Sequence, residues 1–371
     1  MREMRNTHEA QEVHEMDEMQ GRIREVLRLG TLAPSGDNSQ PWRFVMRGTE
    51  VDLFNVPSRD TSLYNYRQRA SLLGHGALVE NVAISARALG LGVSVTLFPD
   101  ASQPDWVCRF AFTPSEPAEE PLFAAIPARI THRGSYVGTP LTPAQVESLK
   151  AAAAVVPGTA LHLVTGPEER AALAHLLRWN ERVVFENPHL HRFLFEHLRW
   201  TREEEERTRD GIPIDTLFLN PPQRLGFPAL SRWGVVRALN HVGLSAVVAL
   251  ESLRKLRASS ALGLVSADGG EDRDFVVAGR AMERLWLEAT RLGLAFQPVT
   301  GIICLMERVA AGEVGGIPSG HVERLRKLRP AVAEAFGLGG RTPAMAFRLG
   351  PPVRPGRLSP RFPLERVVDV S

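Results

Sequence analysis

The sequence predicts an α+β fold of two related halves carried in one chain of 371 residues, and three observations predict it. Residues 76–91 and 279–294 align without a gap, placing Gly76 on Gly279 and Gly90 on Gly293. The segments before them also match: 145–154 resembles the run 22–32, and Leu161-His162-Leu163-Val164 resembles Phe44-Val45-Met46. A Pro- and Glu-rich stretch, 113–121, lies between the two sets and has the composition of a linker.

Taken in order, residues 1–20 are charged and Met-rich with no apolar core, which predicts a flexible leader and excludes a secretory signal. Ile23, Val26, Leu27, Leu29 and Leu32 recur at helical spacing, and Phe44-Val45-Met46 reads as a short strand ended by Arg47-Gly48. Leu78, Val82, Ala86 and Leu89 share one helix face, as do Ala281, Leu285, Ala289 and Leu292, and Gly90 and Gly293 close the two helices. Strand-like runs follow at 93–98 and 295–296. The resulting division is a leader over 1–20, a first half over 21–112, a linker over 113–121 and a second half over 122–371. An insertion over 179–257 lengthens the second half, with a charged run at 203–209, a Pro221-Pro222 turn and an apolar helix over 235–253. Such an excursion can cover a pocket. Arg237, Asn240, His241 and Glu251 interrupt that helix, so it reads as a helix in water and not a membrane span.

Bulk composition narrows the partners. Lysine plus arginine number 44 against 42 acidic residues, so neither nucleic acid nor a membrane is expected, and a small molecule fits better. Cys108 and Cys304 are too few and too far apart for a disulfide framework or a Cys-x-x-Cys site, which points to a reduced, cytoplasmic setting. His189, His191, Glu196 and His197 do not make a metal set: residues two apart leave a helix on different sides, so a polar helix face is expected and no metal. No Gly-x-Gly-x-x-Gly, Gly-Lys-Ser/Thr or Gly-x-Ser-x-Gly pattern occurs in a suitable context.

Two motifs carry chemistry. The run Ala33-Pro34-Ser35-Gly36-Asp37-Asn38-Ser39-Gln40-Pro41-Trp42 joins a helix to a strand. Pro34 and Gly36 turn the chain, Ser35 and Asn38 offer hydrogen bonds, and Gly36 has no side chain to keep a flat ligand away. The second motif, Arg129-Ile130-Thr131-His132-Arg133-Gly134-Ser135-Tyr136, sets a hydroxyl between two guanidinium groups able to converge on a phosphate.

The first motif resembles the Pro-Ser-x-x-Asn-x-Gln-Pro-Trp loop of the nitroreductase superfamily at every fixed position. The second resembles its Arg-Arg-Ser/Thr-x-Arg-x-Phe/Tyr signature, with Ile130 departing from the doubled arginine. By this resemblance the cofactor is flavin mononucleotide (FMN), with NAD(P)H as a possible electron donor, and the fold is nitroreductase-like. Pro34, Ser35, Gly36 and Asn38 cradle the ring, while Arg129, Thr131 and Arg133 hold the phosphate. Arg69 provides a cation near the N1/O2 edge, and Gln297-Pro298 lays backbone against the ring. Arg361 completes the phosphate clamp, with Arg357 as its competitor. The flavin carries the electrons, so no catalytic side chain is assigned. In the superfamily two subunits share each site; here the loop survives only in the first half and the arginine signature only in the second. The resemblance to the Acg-type twin-domain subgroup therefore implies an intramolecular pseudo-dimer, monomeric, with about one FMN. It implies an oxidoreductase acting on a small organic molecule, or alternatively a protein that sequesters FMN beneath a closed lid.

Overall fold

A computed structural model describes residues 2–370, with side chains in the first helix from Met16 onward. The first half contains α1 (Arg2–Gly30), β1 (Trp42–Arg47), β2 (Glu50–Asn55), α2 (Arg69–Ala88), β3 (Leu91–Leu97) and β4 (Trp106–Pro114). Helix α1 thus starts at Arg2, where a flexible leader was expected. Its Ile23, Val26 and Leu27 are fully buried.

The second half opens with α3 (Pro143–Ala154), where the Thr142 hydroxyl and the Gln145 side chain form a reciprocal N-terminal cap. It continues through β5 (Thr159–Val164) into an insertion that occupies all of 165–260, wider than the expected 179–257. The insertion contains α4 (Pro167–Leu177), α5 (Trp179–Glu186), α6 (Pro188–Glu196), β6 (Leu198–Arg199), α7 (Arg202–Thr208), β7 (Ile212–Pro213), α8 (Pro221–Gly226), α9 (Trp233–Asn240) and α10 (Leu244–Arg257). The single apolar helix expected over 235–253 is instead the pair α9 and α10, bent by 86°. Gly243, at φ 94°, supplies the left-handed residue that the corner requires. After the insertion come β8 (Ala261–Ala267), α11 (Asp272–Arg291), β9 (Ala295–Pro298), α12 (Gly301–Ala310), α13 (Ser319–Phe336), β10 (Thr342–Gly350) and β11 (Val368–Val370). Helices α12 and α13 form a second excursion, between β9 and β10, that the sequence reading did not separate.

The sheets follow one plan. The first runs β1-β2-β4-β3 and the second β5-β8-β10-β9, and every neighbouring pair within these runs is antiparallel. The tail breaks the expected division, because β11 crosses back and pairs in parallel with β1, Phe44 opposite Val368. An edge strand with open N–H and C=O groups is thereby covered. The 113–121 stretch also does more than connect: the Ala118 N–H donates to the Arg87 carbonyl at 2.9 Å, and Arg87 pairs with Glu120.

Helices α2 and α11 cross at the aligned glycines. A Cβ on Gly76 would stand 2.0 Å from the Val276 carbonyl oxygen, and one on Gly279 would stand 2.2 Å from that of Leu73. Only a bare Cα lets the two backbones meet so closely. The apolar faces then merge into one core in which Leu78 and Val82 of one half join Ala281 and Leu285 of the other. The interface between halves is thus continuous with their interior.

Candidate functional site

The loop 34–42 lies where α1, α2 and the returning tail meet. Its 3₁₀ turn, Gly36–Asn38, is tight: Asp37, Asn38 and Gln40 all adopt left-handed φ values of 45°, 58° and 50°. Non-glycine residues hold that conformation only under outside constraint, and the constraints are visible. The Ser35 hydroxyl accepts from the Gln40 N–H at 2.9 Å, and the Asn38 amide donates to the Pro360 carbonyl at 3.0 Å. The Gln40 side chain accepts from the Phe362 N–H and donates to the Arg209 carbonyl, both at 2.8 Å. From α2, Gly74 lets Pro34 approach, its would-be Cβ lying 3.1 Å from the Pro34 carbonyl oxygen. Trp42 is fully buried beside His75, whose pKa burial pushes down to about 3, leaving it neutral.

The two carbonyls that lead into the loop are gripped by arginines from the second half. Arg129 donates to the Leu32 carbonyl at 2.6 Å, and Arg361 donates to those of Leu32 and Ala33 at 3.3 and 3.2 Å. Arg129 is buried, its guanidinium 4.5 Å from the centre of the Trp286 ring and its Nε 3.2 Å from Glu283. Burial pushes the Glu283 carboxyl up to about 7 despite Arg129. Burial, reinforced by Arg129, pushes Arg361 down to about 9. Two cations thus crowd one half-suppressed carboxylate; Arg129 is ion-paired with it, whereas the Arg361 Nε has no hydrogen-bond partner. An unsatisfied buried donor with surplus positive charge suits an anion such as a phosphate monoester.

Arg133 does not converge with Arg129. The segment between them is extended, with Thr131 bridged in parallel to Phe296, and successive residues there lie about 3.3 Å apart along the chain. Four-residue spacing brings side chains together on a helix, not here. Arg133 instead reaches the Thr216 hydroxyl at 3.4 Å and faces Asp37 of the loop. Thr131 lies beside β9, next to Gln297 and Pro298. The Gln297 side chain accepts from buried Arg348 at 2.7 Å, and Pro298 pairs with Phe347.

Arg69 donates to the Gly270 carbonyl at 2.8 Å, with Phe275 4.5 Å from its guanidinium. It lines a small recess, of about 20 Å³, with Tyr64, Tyr66, Ile303 and Cys304. Burial raises the Cys304 thiol to about 12 and holds Tyr64 well above the usual phenol range. Arg357 grips Glu205 of α7 through two bonds of 2.6 and 2.5 Å and so ties the tail to the insertion. The expected polar face is met only in part: His189 and Glu196 are exposed, but His191 is buried and bonded to the Leu230 carbonyl, and His197 donates to that of Phe193, each at 2.8 Å.

Sequence reasoning missed Glu283, Asp37 and Asp60. Glu283 was detectable, since it and Glu80 occupy the same place in the two aligned segments, each on an otherwise apolar face. Glu80 is buried too, and is neutralised by Arg280 at 2.8 Å and Arg284 at 2.7 Å. Asp37 and Asp60 face one another, and burial raises both carboxyls.

A model of the nitroreductase family matches residues 126–325, more than half of the chain. The chain belongs to the nitroreductase family. Within the match lie Arg129, Thr131, Arg133, Gln297 and Pro298, whereas the loop 34–42 and Arg361 lie outside it. Among proteins similar to this chain, uncharacterized protein MT1398 of Mycobacterium tuberculosis is 30% identical over 273 residues, covering 73% of the chain and only 37% of that protein. The putative NAD(P)H nitroreductase Rv3131 of M. tuberculosis is 26% identical over 362 residues, covering 94% of the chain and 91% of Rv3131. That alignment runs through both halves. The FMN-dependent nitroreductase NfnB of Mycobacterium smegmatis, solved with NADPH, aligns over 68% of this chain and 98% of its own at 15% identity and a TM-score of 0.38.

Proposed function

We propose that this chain binds one FMN between its two halves and acts as an FMN-dependent oxidoreductase of the nitroreductase type on a small organic molecule. The observation that carries the reading is the buried Arg129–Arg361 pair on the carbonyls that enter the loop 34–42, with the Arg361 Nε left without a hydrogen-bond partner. The free Arg361 Nε suits a phosphate, and by the family resemblance the loop around Gly36 supports the flat ring, the Asp60 carboxyl standing close to Gly36. When bound, FMN supplies hydride and electron transfer, so the protein needs no nucleophile of its own. Arg129 and Arg361 hold the phosphate, Arg133 and Thr131 border it, and Pro34, Ser35, Gly36 and Asn38 support the ring. Arg69 offers positive charge at one ring edge, and Gln297-Pro298 presents backbone to it. The matched order of the two sheets supports internal duplication and with it a monomer, the likeness to the acg protein of M. tuberculosis supports an Acg-type chain, the two separated cysteines support a reduced, cytoplasmic setting, and the name of Rv3131 supports NAD(P)H as donor.

A second reading, FMN sequestration, is favoured by the insertion's seat on the loop. The Arg209 carbonyl takes the Gln40 amide, Thr216 takes Arg133, and Arg357 fastens Glu205. Anaerobic mixing of the FMN-loaded protein with NADH or NADPH separates the two readings. Bleaching of the flavin absorbance supports turnover. A flavin reduced by dithionite yet inert to both nucleotides supports sequestration, and Arg357→Ala is then expected to restore reduction by loosening the insertion. A protein with no affinity for FMN would sink both.

A further inference from the structure

From Thr216 to Leu250 the chain has no Asp or Glu, yet carries Arg224, Arg232, Arg237 and His241. The near-neutral whole-chain composition conceals this local segregation. The stretch includes α8, α9 and the first half of α10. The inner side of the α9–α10 corner is anchored: Val236, Leu244 and Val248 pack with Val184 and Phe185. The Asn240 amide donates to the Phe185 carbonyl and the Ser245 hydroxyl to Glu186, both at 2.7 Å.

The outer side is unlike an ordinary surface. Leu239, Val242, Val247 and Leu250 are 37%, 80%, 65% and 42% exposed around the bend. Along α10 the exposed positions Val247, Leu250, Arg254 and Arg257 recur at helical spacing, so one stripe passes from aliphatic to basic. Arg232 and Arg237 are exposed beside the aliphatic end. Isolated exposed aliphatic residues need no explanation, but a cluster rimmed by cations does; Glu251, beside Leu250, offsets only Arg254 among them, at 3.7 Å. Helices that lie in a lipid interface have this character, with apolar side chains entering the acyl boundary and arginines meeting headgroup phosphates.

We propose that the α9–α10 corner docks on an anionic lipid surface. It seats on the surface: among the described residues no single helix is long and apolar enough to cross a membrane, and α9 and α10, apolar enough only when taken together, are bent by 86° and held to the fold on their inner side. A second copy of the chain is a poorer occupant, because two-fold pairing of this face would set arginine against arginine.

The test is co-sedimentation of the full FMN-loaded chain with phosphatidylcholine vesicles, with and without phosphatidylglycerol, at low and high salt. Binding is expected to the phosphatidylglycerol vesicles at low salt. It is expected to weaken by at least about tenfold without that lipid, and for either Val242→Ser/Val247→Ser or Arg232→Glu/Arg237→Glu. These side chains are exposed, so flavin content and circular dichroism should match the parent. Absence of binding to anionic vesicles, binding indifferent to both variants, or a lipid-independent dimer that the variants abolish would overturn the proposal. Flavin binding is read separately, so failure here leaves the assigned cofactor site standing.

Discussion

At the scale of single residues, the buried trio Arg129, Arg361 and Glu283 decides most of the site's electrostatics. Arg361 meets only backbone carbonyls at 3.2–3.3 Å, which leaves its charge available to a phosphate. Arg361→Ala is expected to weaken FMN retention by about 10- to 100-fold, the worth of one charge-assisted hydrogen bond, while riboflavin affinity changes little. Equilibrium dialysis with both flavins checks this, and equal losses would place Arg361 away from the phosphate. Glu283 gives a pH signature. Its carboxyl, near 4.5 in the unfolded chain and about 7 when folded, binds more protons in the native state, so its ionisation destabilises the fold as pH rises from 4.5 through 7. In urea titrations Glu283→Gln should gain stability on the parent over that interval, by roughly 2–3 kcal/mol, and level off above it. A variant that loses ground instead would show that Arg129 dominates the carboxylate.

At the scale of elements, the crossing of α2 and α11 matters most. Both contacts at the crossing are with backbone atoms, 2.0 Å from a Cβ on Gly76 and 2.2 Å from one on Gly279, so no rotamer change relieves them. Gly76→Ala is expected to destabilise by at least about 3 kcal/mol and to release flavin, because it prises apart the halves that share the site. Gly21→Ala, on α1 with nothing within 4 Å of the added Cβ, is the control and should be stable and yellow. The two loops that join strands in the first half became long excursions in the second, α4–α10 and α12–α13, and both border the site. Loops on a rigid scaffold vary at little cost to the core, which is how one sheet plan supports a simple half and an elaborated one.

At the scale of the molecule, the proposed pseudo-dimer has a physical counterpart in one core shared by the two sheets. The two sheets share a strand order, one core crosses between them, and β11 of the tail completes the first sheet. Nothing in that arrangement calls for a second copy. The FMN-loaded protein is expected to sediment as a monomer of 40.9 kDa with about one flavin at every dilution tested. Loss of flavin in step with dissociation of a dimer, or two equivalents per chain, would refute the single intramolecular site.

The sequence by itself determined what short windows encode. Apolar periodicity placed the faces Leu78, Val82, Ala86 and Ala281, Leu285, Ala289, all of which are buried, because a helix repeats its environment every few residues. The aligned glycines marked the point where α2 and α11 meet, and the fixed residues of 34–42 marked the loop. Only the tertiary structure decided the rest. Arg129 pairs with Arg361 across most of the chain while Arg133 turns to Thr216 and Asp37, since side chains in an extended segment meet whatever long-range packing brings to them. The tail joins the first sheet because β1 needs a partner. Arg209 and Glu205, two charged residues among many in the insertion, became fastenings on the site only when folding carried them onto Gln40 and Arg357.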